Sequence, residues 1–163
     1  MRELEYPFDP DWILKKKKSI KKQLLQDDKV QYMNKKVAIL GGSTTNDIKN
    51  ILELFLLNYG IKPEFYESEY NQYYEDGMFP NSELEEFAPD VIYIHTSNRN
   101  IIDYPCVSDS KDVVAQKLDA VVKKFEGLWN HIKEVYHCPI IQNNFEPPFY
   151  RLMGNRDAAD YRG

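Results

Sequence analysis

The feature that most constrains this chain is an alternation that begins at residue 36 and runs to residue 144. Four short segments, VAIL (37–40), KPEFYES (62–68), VIYIH (91–95) and CPIIQNN (138–144), read as strands and are separated by stretches with apolar residues at helical spacing. Parallel strands covered on both faces read as near-continuous apolar runs, and they need long crossovers, usually helices. Such crossovers are right-handed. The predicted class is therefore α/β, a three-layer open parallel sheet.

The helices follow from the same pattern. DIKNILELFLLNYG (47–60) places Ile48, Ile51, Leu52, Phe55 and Leu56 inward and stops at Gly60. SELEEFAPD (82–90) is a short helix capped by Asn81 or Ser82 and ended by Pro89. Residues 110–136 make a long one, with Val114, Leu118, Val121, Val122, Phe125, Leu128, Trp129 and Ile132 at helical spacing. Ahead of the repeat, residues 1–10 are irregular, with Pro7 and Pro10 as punctuation. DWILKKKKSIKKQLLQDD (11–28) is then an extra N-terminal helix with Asp11 as cap, and Ile13, Ile20, Leu24 and Leu25 near one face. Residues 1–34 thus form an extension with a basic helix, and residues 35–163 the main domain. The segment FEPPFYRLMGNRDAADYRG (145–163) carries loop signals and no fifth strand, so the expectation is a chain cut within its domain, incomplete at the C-terminus.

Composition narrows the function classes. An apolar share of 42% with 29% charged residues belongs to a globular protein, and 163 residues suffice for one domain with a real core. No apolar run approaches the roughly 20 residues needed to span a bilayer. The start MRELEYPFDP is not a signal peptide, so a cytoplasmic location is expected. Cys106 and Cys138 have neither metal spacing nor companions for a disulfide framework, and nothing in the chain asks for a metal or a cofactor. A net charge of −5 argues against a nucleic-acid partner. The lysines at 15–18, 21 and 22 read as a solvated helix face, with polyanion binding as the alternative.

In open parallel sheets ligands collect at the carboxyl ends of the strands. That rule selects the loops Gly41–Asn46, Ser68–Gly77, Thr96–Asn100 and Asn143–Arg151, all rich in polar side chains. The first, within KVAILGGSTTNDI, has neither the G-x-G-x-x-G spacing of a dinucleotide fold nor the Gly-Lys-Ser/Thr of a P-loop. Ser43 has two readings. As a nucleophile it would sit at the sheet edge beside backbone N–H groups, with glycines allowing close approach. It would also need a base, and only His95 is near that edge. As a turn residue it would simply cap the following helix. Arg99, between Asn98 and Asn100, suits a carboxylate or phosphate, or a loop-stabilising ion pair. FYESEYNQYYEDGMF, with six aromatic residues in fifteen, is a ligand platform, a partner surface or a core-lining loop.

The runs GGSTT, FYESEYNQYY and IYIHTSNRN, carried by residues 35–160, resemble the N-terminal region of FkbH-like proteins. The resemblance implies a flavodoxin-like, SGNH-hydrolase-like domain that precedes a haloacid-dehalogenase-type (HAD-IIIC) phosphatase domain. Members of that family act in polyketide and surface-polysaccharide biosynthesis, some moving a glyceryl unit from a phosphorylated three-carbon donor to an acyl carrier protein. On this likeness Ser43 matches the nucleophile of the Gly-Asp-Ser block, with Gly42 in place of the aspartate. Asn98 matches the oxyanion donor of the third block. Gly42, Thr44, Ser68, Tyr70, Asn71, Arg99, Asn100 and Asn143 become the expected substrate contacts. The Asp-x-x-His block is absent, as is the phosphatase signature Asp-x-Asp-x-Thr/Val, so the triad is incomplete in this chain. Three functions follow as expectations: acyl or glyceryl handling on a carrier-linked or polysaccharide intermediate, a non-catalytic module that docks a carrier protein or the phosphatase domain, or a small-anion site in a flavodoxin-like domain.

Overall fold

The computed structural model describes residues 1–27 and 30–162. Strands β1 (Met33–Gly41), β2 (Ile61–Glu67), β3 (Val91–His95) and β4 (Ile140–Gln142) form one sheet in the order β2-β1-β3-β4, with every pairing parallel. These are the first four positions of the flavodoxin order. The register sets Gly41 opposite His95 and Ile39 opposite Glu67, so the carboxyl ends of β1, β2 and β3 lie at one edge.

Side chains alternate across the sheet, and the two faces are filled differently. One face carries Ala38, Leu40, Ile92 and Ile94, all fully buried. They pack against Phe125, Leu128 and Ile132 of α5 (Lys111–Tyr136), Tyr73 of α3 (Tyr73–Met78) and Leu84 of α4 (Ser82–Phe87). Val37 and Ile39 point to the other face, on the side of α2 (Asn46–Asn58). There α1 (Pro10–Leu25) lies over α2, and Ile13, Ile20 and Leu24 pack with Leu54 and Leu57. Lys17–Asp47 and Lys21–Glu53 ion pairs flank that contact, so part of the lysine run has an internal use. Among the described residues no helix is long and apolar enough to cross a membrane, and no cluster of three metal-ligating side chains occurs.

The boundaries differ from the sequence reading where local polar chemistry decides them. Asp9, not Asp11, caps α1: its carboxylate accepts the Trp12 N–H, with Pro10 at the first helical position. The helix ends at Leu25, Leu25 is exposed, and Asp28 of the predicted span lies outside the described residues. Asn81 caps α4 by accepting the N–H groups of Glu83 and Leu84. On α2 the fully buried residues are Leu54 and Leu57, whereas Ile48, Ile51, Leu52 and Phe55 are half-buried and line a shallow apolar groove. The aromatic stretch is core-lining at Tyr66, Tyr73 and Tyr74, while Tyr70 and Phe79 are exposed. Its second half folds into α3, and Tyr73 is buried in stacked contact with Phe125. Gly77 makes this possible, because a Cβ there would stand 2.7 Å from Leu128 Cδ1.

Candidate functional site

Residues after β1 fold into a turn pinned from three sides. Gly41 N–H donates to Ser68 Oγ (2.7 Å), Gly42 N–H to the His95 carbonyl (2.7 Å), and the Gly42 carbonyl accepts from Asn100 Nδ2 (3.0 Å). Loops after β2 and β3 therefore hold the Gly41-Gly42-Ser43 turn directly. Gly42 cannot bear a side chain. A Cβ there would meet Asn100 Oδ1 at 2.5 Å and Asn100 Nδ2 at 2.7 Å, in a region where Asn100 is buried. The aspartate of the Gly-Asp-Ser block has no room at this position.

Ser43 follows, half-buried, and its hydroxyl makes no hydrogen bond among the described residues. It does not cap α2. Thr45 holds that position, and even its hydroxyl is turned away, donating to Glu67 Oε1 at 2.9 Å. Glu67 Oε2 accepts no hydrogen bond of good geometry and is met instead by the Lys49 ammonium as an ion pair. The capping reading of Ser43 therefore has no support in the geometry, and the hydroxyl is left at the sheet edge.

The predicted contacts divide into groups. Ser68, Asn71 and Asn100 join Gly42 in one network, since Asn100 Nδ2 also donates to Asn71 Oδ1 at 3.0 Å. Asn71 itself is exposed and left-handed, with φ of 61°. Asn98 and Asn143 belong to a second network. Asn98 Nδ2 donates to the Pro147 carbonyl (3.2 Å), and its backbone N–H donates to Glu146 (3.2 Å). Asn143 Oδ1 accepts the Thr96 N–H (3.0 Å), while its Nδ2 donates to the Thr96 carbonyl (2.7 Å) and the Asn144 carbonyl (2.8 Å). These side chains lock β3 to the chain after β4. Thr44, Tyr70 and Arg99 are exposed, and Arg99 has no carboxylate partner among the described residues.

The histidines do not complete a triad. His95 Nδ1 shares a hydrogen bond with the Tyr93 hydroxyl (3.1 Å), and burial raises the Tyr93 phenol, keeping it protonated at neutral pH. His137 ends α5 in the left-handed conformation, away from the carboxyl edge, and His131 lies on α5. Sequence reasoning missed the Trp129 Nε1 to Gln142 Oε1 bond (2.6 Å), continued by Gln142 Nε2 to Thr96 Oγ1 (3.0 Å). It also missed the Thr45–Glu67–Lys49 trio. The turn at Asn98–Asn100 did carry a signal, the Ser97-x-x-Asn100 spacing of a capping box.

No protein-family model and no curated protein matches this chain. Among solved structures it is similar to the crystal structure of the N-terminal part of the protein BF1531 from Bacteroides fragilis, which contains a phosphatase domain complexed with Mg. The TM-score is 0.68 at 20% identity, over 90% of this chain and 38% of that one. The likeness supports the fold, and this chain spans well under half of the solved chain's length.

Proposed function

We propose that this chain is the SGNH-like N-terminal domain of an FkbH-like protein, handling an acyl or glyceryl group on a carrier-linked or polysaccharide intermediate. In this reading phosphatase chemistry comes from a separate domain of the kind present in the structural neighbour, and an acyl carrier protein or polysaccharide intermediate carries the group in the cytoplasm. The observation that carries the reading is the Ser43 hydroxyl. It stands at the carboxyl edge of β1, on a turn braced by Ser68 and Asn100, and has no structural partner among the described residues. Arg99 supplies a nearby exposed cation suited to a carboxylate or phosphate.

A second reading, a non-catalytic docking module, is favoured by a specific observation. Among the described residues no histidine or carboxylate hydrogen-bonds to Ser43: His95 is engaged with Tyr93, and the expected oxyanion donor Asn98 is turned to the Pro147 carbonyl. Reaction of the full-length protein with a fluorophosphonate separates the two. Covalent labelling that disappears in Ser43→Ala supports a nucleophile, and a folded protein that takes no label supports the docking module. Under either reading this chain alone should show no serine-dependent turnover of simple acetyl esters. Turnover abolished by Ser43→Ala would contradict that expectation.

A further inference from the structure

We infer that Asn71 is the ligand-facing hydrogen-bond donor of the Ser43 turn, oriented by Asn100 to take an acceptor oxygen of a carbonyl, carboxylate or phosphoryl group. The inference rests on the proposal that the Ser43 turn is where ligand binds, and it adds which residue meets the ligand oxygen.

Hydrogen-bond polarity assigns the amide orientations around Asn100. The backbone N–H of Ser97 can only donate, so the atom it meets at 2.8 Å is Asn100 Oδ1. This fixes the orientation of the Asn100 amide. Its nitrogen must then face the Gly42 carbonyl, which can only accept, and the two are 3.0 Å apart. The second hydrogen of the same nitrogen goes to Asn71 at 3.0 Å, so the Asn71 atom there is the acceptor Oδ1. Both Asn100 hydrogens are thereby consumed. Asn100, buried and saturated, is a positioning residue with no donor left for a ligand.

The consequence falls on Asn71. With Oδ1 held by Asn100, its Nδ2 is directed away from the network, and it makes no hydrogen bond among the described residues. Gly42 and Asn71 both lie one hydrogen bond from the same Asn100 nitrogen, so this free amide borders the Ser43 turn. An Asn tolerates the left-handed backbone at this position better than most residues. The result is a neutral amide anchored through its oxygen, with its N–H donors free on a loop that braces the Ser43 turn, which suits an acceptor oxygen.

The test is nuclear magnetic resonance of the 15N-labelled full-length protein, titrated separately with acetate and with inorganic phosphate. The Asn71 side-chain NH2 pair, assigned through Asn71→Asp, should shift together with the Ser43 backbone amide, while the Asn100 NH2 pair stays fixed. A shift with acetate alone identifies a carboxyl or carbonyl oxygen as the ligand atom, and a shift with phosphate alone a phosphoryl oxygen. Asn71→Asp, which places a second acceptor outward, should weaken the Ser43 response at least tenfold. Asn71→Gly keeps the left-handed backbone and should weaken it less severely. If Ser43 responds and the Asn71 amide does not, or if the Asn71 variants leave the affinity unchanged, the assignment to Asn71 is overturned while the Ser43 site stands. If neither responds, the Ser43 turn is not the ligand site, and both proposals fail.

Discussion

The two halves of α5 have the same helical periodicity and opposite fates. Phe125, Leu128 and Ile132 in the second half are almost wholly buried, pressed onto the sheet and α3. In the first half Leu118 is 65% exposed and Val122 44%. Length explains the difference. A helix of 26 residues extends about 39 Å, whereas the five residues of β3 cover only about 17 Å, so one end must overhang. The overhanging half is held by polar groups instead. Lys117 pairs with Asp103 (2.9 Å) and Asp109 (3.0 Å) and donates to the Tyr104 carbonyl. Asp109 accepts from the Cys106 N–H and thiol, and its carbonyl takes the Tyr161 hydroxyl. Apolar periodicity therefore marks a helix without saying which turns of it carry the fold's stability.

The largest test of this contrast is Leu128→Ala, which should cost about 3 kcal/mol in denaturant unfolding, because the tight contact with Gly77 leaves the site little freedom to collapse. Next comes acid. The hydrogen bonds from Cys106, with help from Lys117, hold the Asp109 carboxyl at about 2, below its unfolded value near 4. A depressed carboxylate contributes stability above the unfolded value and loses it as pH falls through the folded one. Hydrogen-exchange protection at residues 103–118 and 161–162, taken relative to the intrinsic rate at each pH, should fall between about pH 4 and pH 2, before the Phe125–Ile132 half opens. Smallest of all, Leu118→Ala should change stability by less than about 0.5 kcal/mol. A cost for Leu118→Ala near that of Leu128→Ala would erase the distinction between the halves.

The same contrast explains what could be read from residues alone. β1 and β3 were visible because burial on both faces leaves continuous apolar runs, and Pro89 and Gly60 punctuate the helices, whereas α3 hid inside a polar-aromatic stretch. The α2 face was not visible either. Ile48 and Leu52 sit at helical spacing, yet Leu54 and Leu57 take the buried role because α1, outside the repeat, covers them. At the site, Asn98 and Asn100 are the same residue type two positions apart, and nothing local tells them apart. Only the turn's pairing across loops sends one amide to Pro147 and the other to Gly42. Gly42 itself looked like a departure from a motif. Packing makes it a requirement, since Asn100 fills the space a side chain would need.

The sheet's two borders bear on how this domain behaves in a crowded solution. An edge strand offers unpaired amides on which another chain can add, and long flat edges invite aggregation. On β2, residues bonded to β1 are even-numbered, as the Met33 N–H to Gly60 carbonyl and Ser68 N–H to Ile39 carbonyl bonds mark. Pro63 therefore falls on the outer side, and it removes one donor from that border. Its neighbours Lys62 and Glu64 are exposed and charged. At the opposite border β4 offers only three residues, directly after Pro139. Both rims are poor templates, so self-association through strand addition is opposed at each side of the sheet by a different means.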